Sequence, residues 1–471
     1  MEKIIRILSR KSDLAQIQAR FVGLELNKKF PNIKFSYLYK TTEGDIDKTT
    51  PLSEMKTTGV FTDDLRKNLI NNECDLIVHS WKDLPIDIGY ETQIAGSLKR
   101  ADERDVLLFD KNKIEQIKRT KKISILSSSP RRTYNLKDFI KKYFPYECED
   151  IQFKNVRGNI PTRIKKLLEG KEDALVVAKA AIDRLINNPF EEYELISKQI
   201  KNYIAKCSWI ILPLSMNPCA PGQGALAIEI RSNDKLLSEM VKSISDPLSI
   251  ACVSKEREIL KKYGGGCHQK IGVSFFPTFF GLVKCEKGET DKGKNFYDWS
   301  IFNSLKKNIN KANINEIFPE DLSDYKFFKR ATIKDSINKI NSLNKNCIWV
   351  SRKSAMPKEA SPLSSNVIWA SGLKTWKALT QRGIWVNGCS DSMGEDFNPN
   401  INSLCQFPWI KLTHLNSPKS LIKDVIASYE LVKEVVLPDL TNKKYFFWMS
   451  SSAFKLAITK EPSILGAYHS C

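Results

Sequence analysis

An α/β protein with mostly parallel sheets is what this sequence predicts, on three observations. Short apolar runs of strand length alternate with stretches of helical spacing. The runs end abruptly on polar clusters. At 471 residues the chain is also long enough for two to four domains of this kind. The 42% apolar and 27% charged fractions belong to a folded globular chain, and they exclude a disordered, collagenous or disulfide-stapled one.

The elements follow in order. Residues 4–8 form an apolar run closed by Ser9, and residues 12–27 carry apolar side chains at helical spacing with few breakers. Residues 75–78 and 123–126 are strand-like, the second ending on Ser127-Ser-Ser129. Residues 174–177 are a continuous apolar run, followed by a helical pattern through Leu185. In sheets of this type ligands bind beyond the carboxyl ends of the strands, so the polar clusters there are the places to look. From about residue 300 the texture changes. Residues 306–345 are rich in Lys, Asn and Asp and read as a linker. New strand-like runs start at 347–350 and 445–448. Ser-Arg-Lys-Ser occurs at 9–12 and again at 351–354, but the likeness stops after four residues and marks no repeat.

The net charge of +20 predicts attraction to a polyanion without saying which: nucleic acid, an anionic membrane, or a small molecule with many carboxylates. Residues 301–471 hold 23 Lys and Arg against 14 Asp and Glu, so the excess is not a single basic tail. Eleven cysteines with no Cys-x-x-Cys, and four histidines, leave the usual zinc spacings absent, so no metal is expected. An odd cysteine count in a long chain favours a reducing compartment. The N-terminus has no apolar stretch of signal-peptide length, and no apolar run approaches the ~18 residues of a membrane span. The expectation is a cytoplasmic, monomeric protein that binds neither nucleic acid nor membrane; no helix-turn-helix, zinc or RNP-type motif is present.

Six segments carry chemistry. Val78-His-Ser-Trp-Lys-Asp-Leu-Pro85 places Lys82 and Asp83 side by side at a strand end. A carboxylate beside an ammonium can act as general acid, general base or cation stabiliser, although such pairs usually sit on plain surface. Ser127-Ser-Ser-Pro-Arg-Arg132 sets hydroxyls and two guanidiniums after another strand, a cradle for carboxylates. Asn155-Val-Arg-Gly-Asn-Ile-Pro-Thr-Arg163 places two arginines six apart around a glycine, and Arg10 with Ser12 follows the first strand. Singly these read as surface charge; four on four strand ends suggest a cleft lined for a polyanion. Tyr263-Gly-Gly-Gly-Cys-His-Gln-Lys-Ile-Gly272 presents Cys267 on a glycine-rich loop, accessible for covalent chemistry unless it is simply a buried small side chain. Ala220-Pro-Gly-Gln-Gly-Ala225 leads into a strand and reads equally as a plain turn.

Together and in this order these strings resemble the porphobilinogen deaminase (hydroxymethylbilane synthase) family over about residues 3–285. The supporting strings are Arg6-Ile-Leu-Ser-Arg-Lys-Ser-Asp-Leu-Ala15, Thr42-Glu-Gly-Asp45, His79-Ser-Trp-Lys-Asp-Leu-Pro85, Ser128-Ser-Pro-Arg-Arg132, Val156-Arg-Gly-Asn159, Gly222-Gln-Gly224 and Gly265-Gly-Cys267. The resemblance implies two periplasmic-binding-protein-like lobes with mixed, mostly parallel sheets and a small α+β domain carrying the cofactor cysteine. A C-terminal α/β module is expected after these. The implied boundaries are 1–99 with 224–242, 104–217, and 243–305; a linker over 306–345 and a module over 346–471 follow. The resemblance further implies a dipyrromethane cofactor held by a thioether to Cys267. Four porphobilinogen units are added to it with loss of ammonia, and hydrolysis releases linear hydroxymethylbilane. Asp83 and Lys82 match the catalytic positions. Lys82, Asp83, Ser128, Ser129, Arg131 and Arg132 match cofactor contacts. Arg10, Ser12, Gln18, Arg157, Arg163 and Arg184 match substrate contacts. Each ring carries an acetate and a propionate, so a growing chain of rings needs many arginines.

This sequence departs from the family pattern at Thr58, Leu126, Pro130 and Lys270, none of which removes a catalytic group. The C-terminal region is similar, over shorter strings, to uroporphyrinogen-III synthase. These are Cys347-Ile-Trp-Val-Ser-Arg352, Thr375-Trp-Lys-Ala-Leu-Thr-Gln-Arg-Gly383 and Phe446-Phe-Trp-Met-Ser-Ser-Ser452. It is shorter than a full synthase, and an incomplete or degenerate module is expected. The competing reading is a two-lobed anion- or solute-binding module without catalysis; Asp83 and Cys267 speak against it.

Overall fold

A computed structural model describes residues 4–42, 62–264, 269–302, 313–321, 325–417 and 421–470. Three stretches singled out in the sequence lie outside these residues: positions 43–45 of the Thr42-Glu-Gly-Asp45 string, the stretch with Thr58 and the stretch with Cys267. The chain divides into two compact units, 1–303 with 368–407, and 304–367 with 408–471.

In the first unit, two five-stranded mixed sheets repeat one layout. The first has the order β2-β1-β3-β10-β4, from strands β1 (Ile4–Arg10), β2 (Lys34–Lys40), β3 (Leu76–Ser80), β4 (Thr92–Gly96) and β10 (Leu226–Arg231). The second has the order β7-β6-β8-β5-β9, from β5 (Asp105–Asp110), β6 (Lys122–Leu126), β7 (Asp150–Lys154), β8 (Ala174–Ala178) and β9 (Cys207–Ile211). Each sheet has two parallel pairings and then one strand running against both neighbours, β10 in the first and β5 in the second. The chain therefore passes between lobes twice, once after β4 and once between β9 and β10.

Local sequence accounts for these elements. Ala174-Leu-Val-Val-Ala178 is buried at every position, the signature of a strand covered on both faces. Helix Asp13–Lys29 turns Ala19, Val22 and Leu26 onto the first sheet, where they meet Ile5, Ile7, Leu76, Val78, Ile228 and Ile230. Helix Pro130–Tyr143 starts on the Ser129 N-cap with proline in its first turn. Pro130 suits this position: its fixed φ matches a first helical residue and its missing N–H costs nothing there. Helix Ile160–Glu169 begins the same way on Asn159, whose side chain accepts from the Thr162 amide at 3.0 Å.

A third layer holds helix Pro247–Lys262 and an antiparallel sheet of β11 (Gly272–Thr278), β12 (Gly281–Glu289) and β13 (Asn295–Phe302). Residues 368–407 also belong to the first unit, although the sequence places them in a separate C-terminal module.

The second unit is described by itself. Strands β15 (Phe328–Thr332), β20 (Asp424–Lys433), β19 (Trp409–His414) and β16 (Cys347–Val350) lie side by side in that order, and a small parallel sheet joins residues 317–318, 445–447 and 468–470. Phe318, Phe327, Leu440, Phe446 and Trp448 form its core. Part of the expected linker is thus folded: β15 pairs with β20, and helix Asp335–Asn341 follows. Buried Phe327 and Ile340 anchor a stretch whose Lys and Asn side chains face outward. Among the described residues, no helix is long and apolar enough to cross a membrane.

Candidate active site

The sheet layout brings the polar clusters of several strand ends together. β3 ends at Ser80 and runs into a single helical turn, Trp81–Asp83, with Trp81 buried, Lys82 half-buried and Asp83 exposed. Asp83 lines a cavity of about 90 Å³ with Arg10, Ser12, Gln18, His79 and Ser80. Gln18 is buried in the first helix and accepts a hydrogen bond from the Ser80 hydroxyl at 3.2 Å. Below the cavity Glu229 is fully buried. It accepts from Thr92 at 2.6 Å and Arg66 at 2.6 Å and lies 2.9 Å from His79 Nε2, and these partners hold its pKa down to about 2 against burial.

The second lobe contributes the arginines. Burial lowers Arg163 to about 10; Arg132, Arg157 and Arg10 act on it in the same direction, and Asp83 opposes them. Residues Arg10 and Asp83 of the first lobe therefore share one electrostatic field with Arg132, Arg157 and Arg163 of the second. The helices starting at Asp13, Pro130 and Ile160 add their N-terminal backbone dipoles, since each begins just beyond a strand end.

Under this cluster sits Asp105, buried at the start of β5. Its carboxylate accepts from Arg131 at 2.9 Å, Arg132 at 2.6 Å, Asn217 at 2.9 Å and Gln223 at 2.9 Å. Burial raises its pKa, but the two guanidiniums outweigh burial and hold it far below the usual carboxylate range. Gln223 is the junction of the site. Its Nε2 donates to the Glu103 carbonyl at 2.7 Å as well as to Asp105, and its Oε1 accepts from Lys82 Nζ at 3.3 Å and from Arg132 at 3.5 Å. The flanking Gly222 and Gly224 have φ of +79° and +86°, and a Cβ on Gly224 would lie 2.5 Å from the Ala101 carbonyl oxygen. The Gly-Gln-Gly turn is thus a lobe-to-lobe crossover that needs its glycines. Burial pulls Lys82 down to about 8; neighbouring Asp83 works against this and Arg132 with it.

Not every expected contact residue points its polar groups into open space. The Ser128 hydroxyl donates to the Val156 carbonyl at 2.8 Å and accepts from the Val156 amide at 2.9 Å, tying β6 to the segment after β7. Ser129 caps its helix. Arg184 donates to the Gly224 carbonyl at 2.6 Å, and no arginine of the cluster contributes to its lowered pKa of about 10, which burial causes. Asp105 is not among the residues the sequence singles out, and Gln223 stands there only as the polar residue of a glycine turn. The available signals were an aspartate opening an otherwise apolar strand and an amide between two glycines. Cys267 lies outside the described residues; the elements that flank its loop are firmly tied. Glu256 of helix Pro247–Lys262 pairs with Arg100 at 2.6 and 2.9 Å and accepts from the amides of Gly222 and Phe275 at 2.8 Å each. Tyr263 stacks on Phe296, and Lys270 pairs with Glu289 on β12.

The donor set fits a group with several carboxylates. Asp105 neutralises only one of the charges on Arg131, Arg132 and Lys82, and the Nε atoms of Arg131 and Arg132 are buried without a hydrogen-bond partner.

Comparison with known proteins agrees with this chemistry. Residues 5–239 match the family model described as porphobilinogen deaminase, dipyromethane cofactor binding domain. The curated porphobilinogen deaminase of Chlorobium phaeovibrioides is 34% identical over 272 residues, covering 58% of this chain and 79% of that one. That of Caldicellulosiruptor saccharolyticus is 36% identical over 272 residues, 58% of this chain and 84% of that one. That of Chlorobaculum parvum is 34% identical over 285 residues, 60% and 82% respectively. This degree of likeness over most of the relatives' length leads to one assignment: the chain belongs to the porphobilinogen deaminase family.

Proposed function

We propose that this chain is a hydroxymethylbilane synthase. It joins four porphobilinogen molecules in sequence, with loss of ammonia at each step, and releases a linear hydroxymethylbilane by hydrolysis. The observation that carries the reading is geometric: Asp83 lines a cavity with Arg10, Ser12 and Gln18, and Lys82 beside it reaches Gln223, which also bonds Arg132 and Asp105. The dipyrromethane cofactor, when bound, supplies the pyrrole carbon to which the first new unit is joined. Lys82, Arg131 and Arg132 hold its carboxylates, Ser128 and Ser129 fix the strand ends that carry them, and Cys267 is the attachment point.

Arg10, Ser12, Gln18, Arg157, Arg163 and Arg184 receive the acetate and propionate groups of substrate and growing chain, with Arg184 acting through the crossover turn it holds. Asp83 handles the proton of the departing amine and stabilises the positive charge that develops on the pyrrole nitrogen, a task suited to a carboxylate placed at the cavity. We place the reaction in a reducing cytoplasm, supported by the odd number of cysteines in a long chain, in a monomer. We confine the incomplete uroporphyrinogen-III synthase-like module expected over residues 346–471 to the part outside 368–407, which the first unit contains; cyclic product from porphobilinogen and the full chain alone would overturn its incompleteness.

The deciding experiment is an intact mass of the purified chain. It should exceed the polypeptide mass by one dipyrromethane, and the protein should colour with an aldehyde reagent for pyrroles. Cys267→Ser should abolish both. An unmodified wild-type mass with no ammonia released from porphobilinogen rejects the proposal and leaves a binding module.

A further inference from the structure

We infer that residues 368–407 are a completing element of the deaminase's second lobe. The name "deaminase" rests on the reading above; the packing does not. β9 is the outer strand of the second sheet, and an outer strand exposes a row of unpaired backbone groups. Here the segment covers it. The Ile211 amide donates to the Asn387 carbonyl at 2.7 Å, and the Trp209 carbonyl accepts from the Asn387 side chain at 2.9 Å and from Trp385 Nε1 at 3.3 Å.

Aromatic packing extends the contact. Trp385 meets Phe109 edge-on at 5.0 Å and Phe144 at 5.6 Å. Trp376, in helix Leu373–Thr380, is fully buried against Phe139 of helix Pro130–Tyr143 and donates to the Tyr143 carbonyl at 2.9 Å. Further along, the segment closes over buried charge at the lobe crossover. Arg104 forks onto Asp102 at 2.9 and 2.7 Å and donates to the Pro399 carbonyl at 2.8 Å, with the rings of Trp369 and Phe397 each 5.8 Å away. Asn400 donates to Asp102 at 3.1 Å, Ser403 to Asp183, and Asp391 accepts from Ser215.

Backbone and side-chain hydrogen bonds along β9, a fully buried Trp376 on the neighbouring helix and a cover over a buried ion pair are features of a domain interior rather than of a docked neighbour. Arg104 immediately precedes Asp105, the anchor of the arginine pair. The segment therefore supports the backbone from which the cleft's charge is set.

Hydrogen exchange on the full wild-type chain tests this without reference to activity. Amides of 207–211 and 385–391 should show matched protection and open in one event. In full-length Trp385→Ala, exchange at 207–211 should rise at least tenfold, and the midpoint of thermal inactivation of the deaminase should fall by roughly 6 °C or more. Asn400→Ala, a milder change, covers the case in which Trp385→Ala does not fold, and should raise exchange around Asp102 and Arg104. Free exchange at 385–391 beside a protected 207–211 overturns the inference, as does unchanged exchange at 207–211 in Trp385→Ala. Failure of the deaminase reading shows separately, as absent ammonia release with the exchange pattern intact.

Discussion

Asp105 is one buried carboxylate against two guanidiniums, and its loss leaves both cations without a counter-charge. Removing one partner of such a group is far costlier than the pair's net worth. Asp105→Ala should destabilise the chain by about 3–5 kcal/mol, read as a lowered denaturant midpoint; a change below ~1 kcal/mol would contradict the geometry. Asp83 sits differently: exposed, at the cavity, with no structural bond to lose. Asp83→Asn should keep the thermal midpoint and lower turnover at least ~10²-fold, and near-normal turnover would remove the role given to it. Lys82 gives a pH signature. Its pKa falls from 10.5 to about 8, so in the folded chain the ammonium is lost as the pH rises through about 8 while the unfolded chain keeps it. Between these values the unfolded state binds more protons, and this group's contribution to stability rises with pH. Recruitment of carboxylates moves the other way. Loading of the cofactor-free chain by porphobilinogen, followed by intact mass, should slow as the pH passes about 8. Lys82→Arg should shift that fall to higher pH, and an identical profile would acquit Lys82.

At the scale of elements, the crossover turn makes the sharpest comparison. Gly224 and Gly89 both have positive φ, +86° and +82°, but only at Gly224 would a Cβ meet backbone, while nothing lies within 4 Å at Gly89. Gly89→Ala should cost about 1 kcal/mol, the conformational part alone. Gly224→Ala should cost clearly more and weaken porphobilinogen binding as well, because Gln223 moves with it; equal midpoints for the two variants would deny the turn its role. Much of the frame was legible in the sequence. Apolar runs at 4–8, 75–78, 123–126 and 174–177 mark four strands, because buried parallel strands advertise themselves locally. The polar clusters after them were legible for the same reason: they stand where periodicity stops. Other features had no local sign. Ser128 and Ser129 look like free donors in sequence, and only the return of the chain at Val156 and the start of a helix show what their hydroxyls hold. The importance of Asp105 depends on Arg131, Arg132, Asn217 and Gln223, up to 118 positions away. The attachment of 368–407 depends on an edge strand more than 150 residues earlier, and its helical and strand patterns read equally well as a separate module.

At the scale of the whole molecule, the +20 charge divides into charge that is paired and charge that waits for a partner. Arg6, Arg66, Arg100 and Arg104 are committed to Asp75, Glu229, Glu256 and Asp102. Arg131 and Arg132 instead share the single carboxylate of Asp105, and like charges held together in the folded state work against it. A covalently held polycarboxylate removes that repulsion and binds only the folded chain, so it stabilises by linkage. Cys267→Ser, unable to keep the cofactor, should therefore unfold at a lower temperature than the loaded wild type. Part of the difference should return when a tricarboxylate such as citrate is added at constant ionic strength, because the anion takes the place at Arg131, Arg132 and Arg163. The loaded wild type, its arginines already engaged, should gain less from the same addition. General screening by salt predicts instead an equal rise in both proteins. An equal rise would place the unspent charge on the outer surface and leave the cleft without the electrostatic role argued for it.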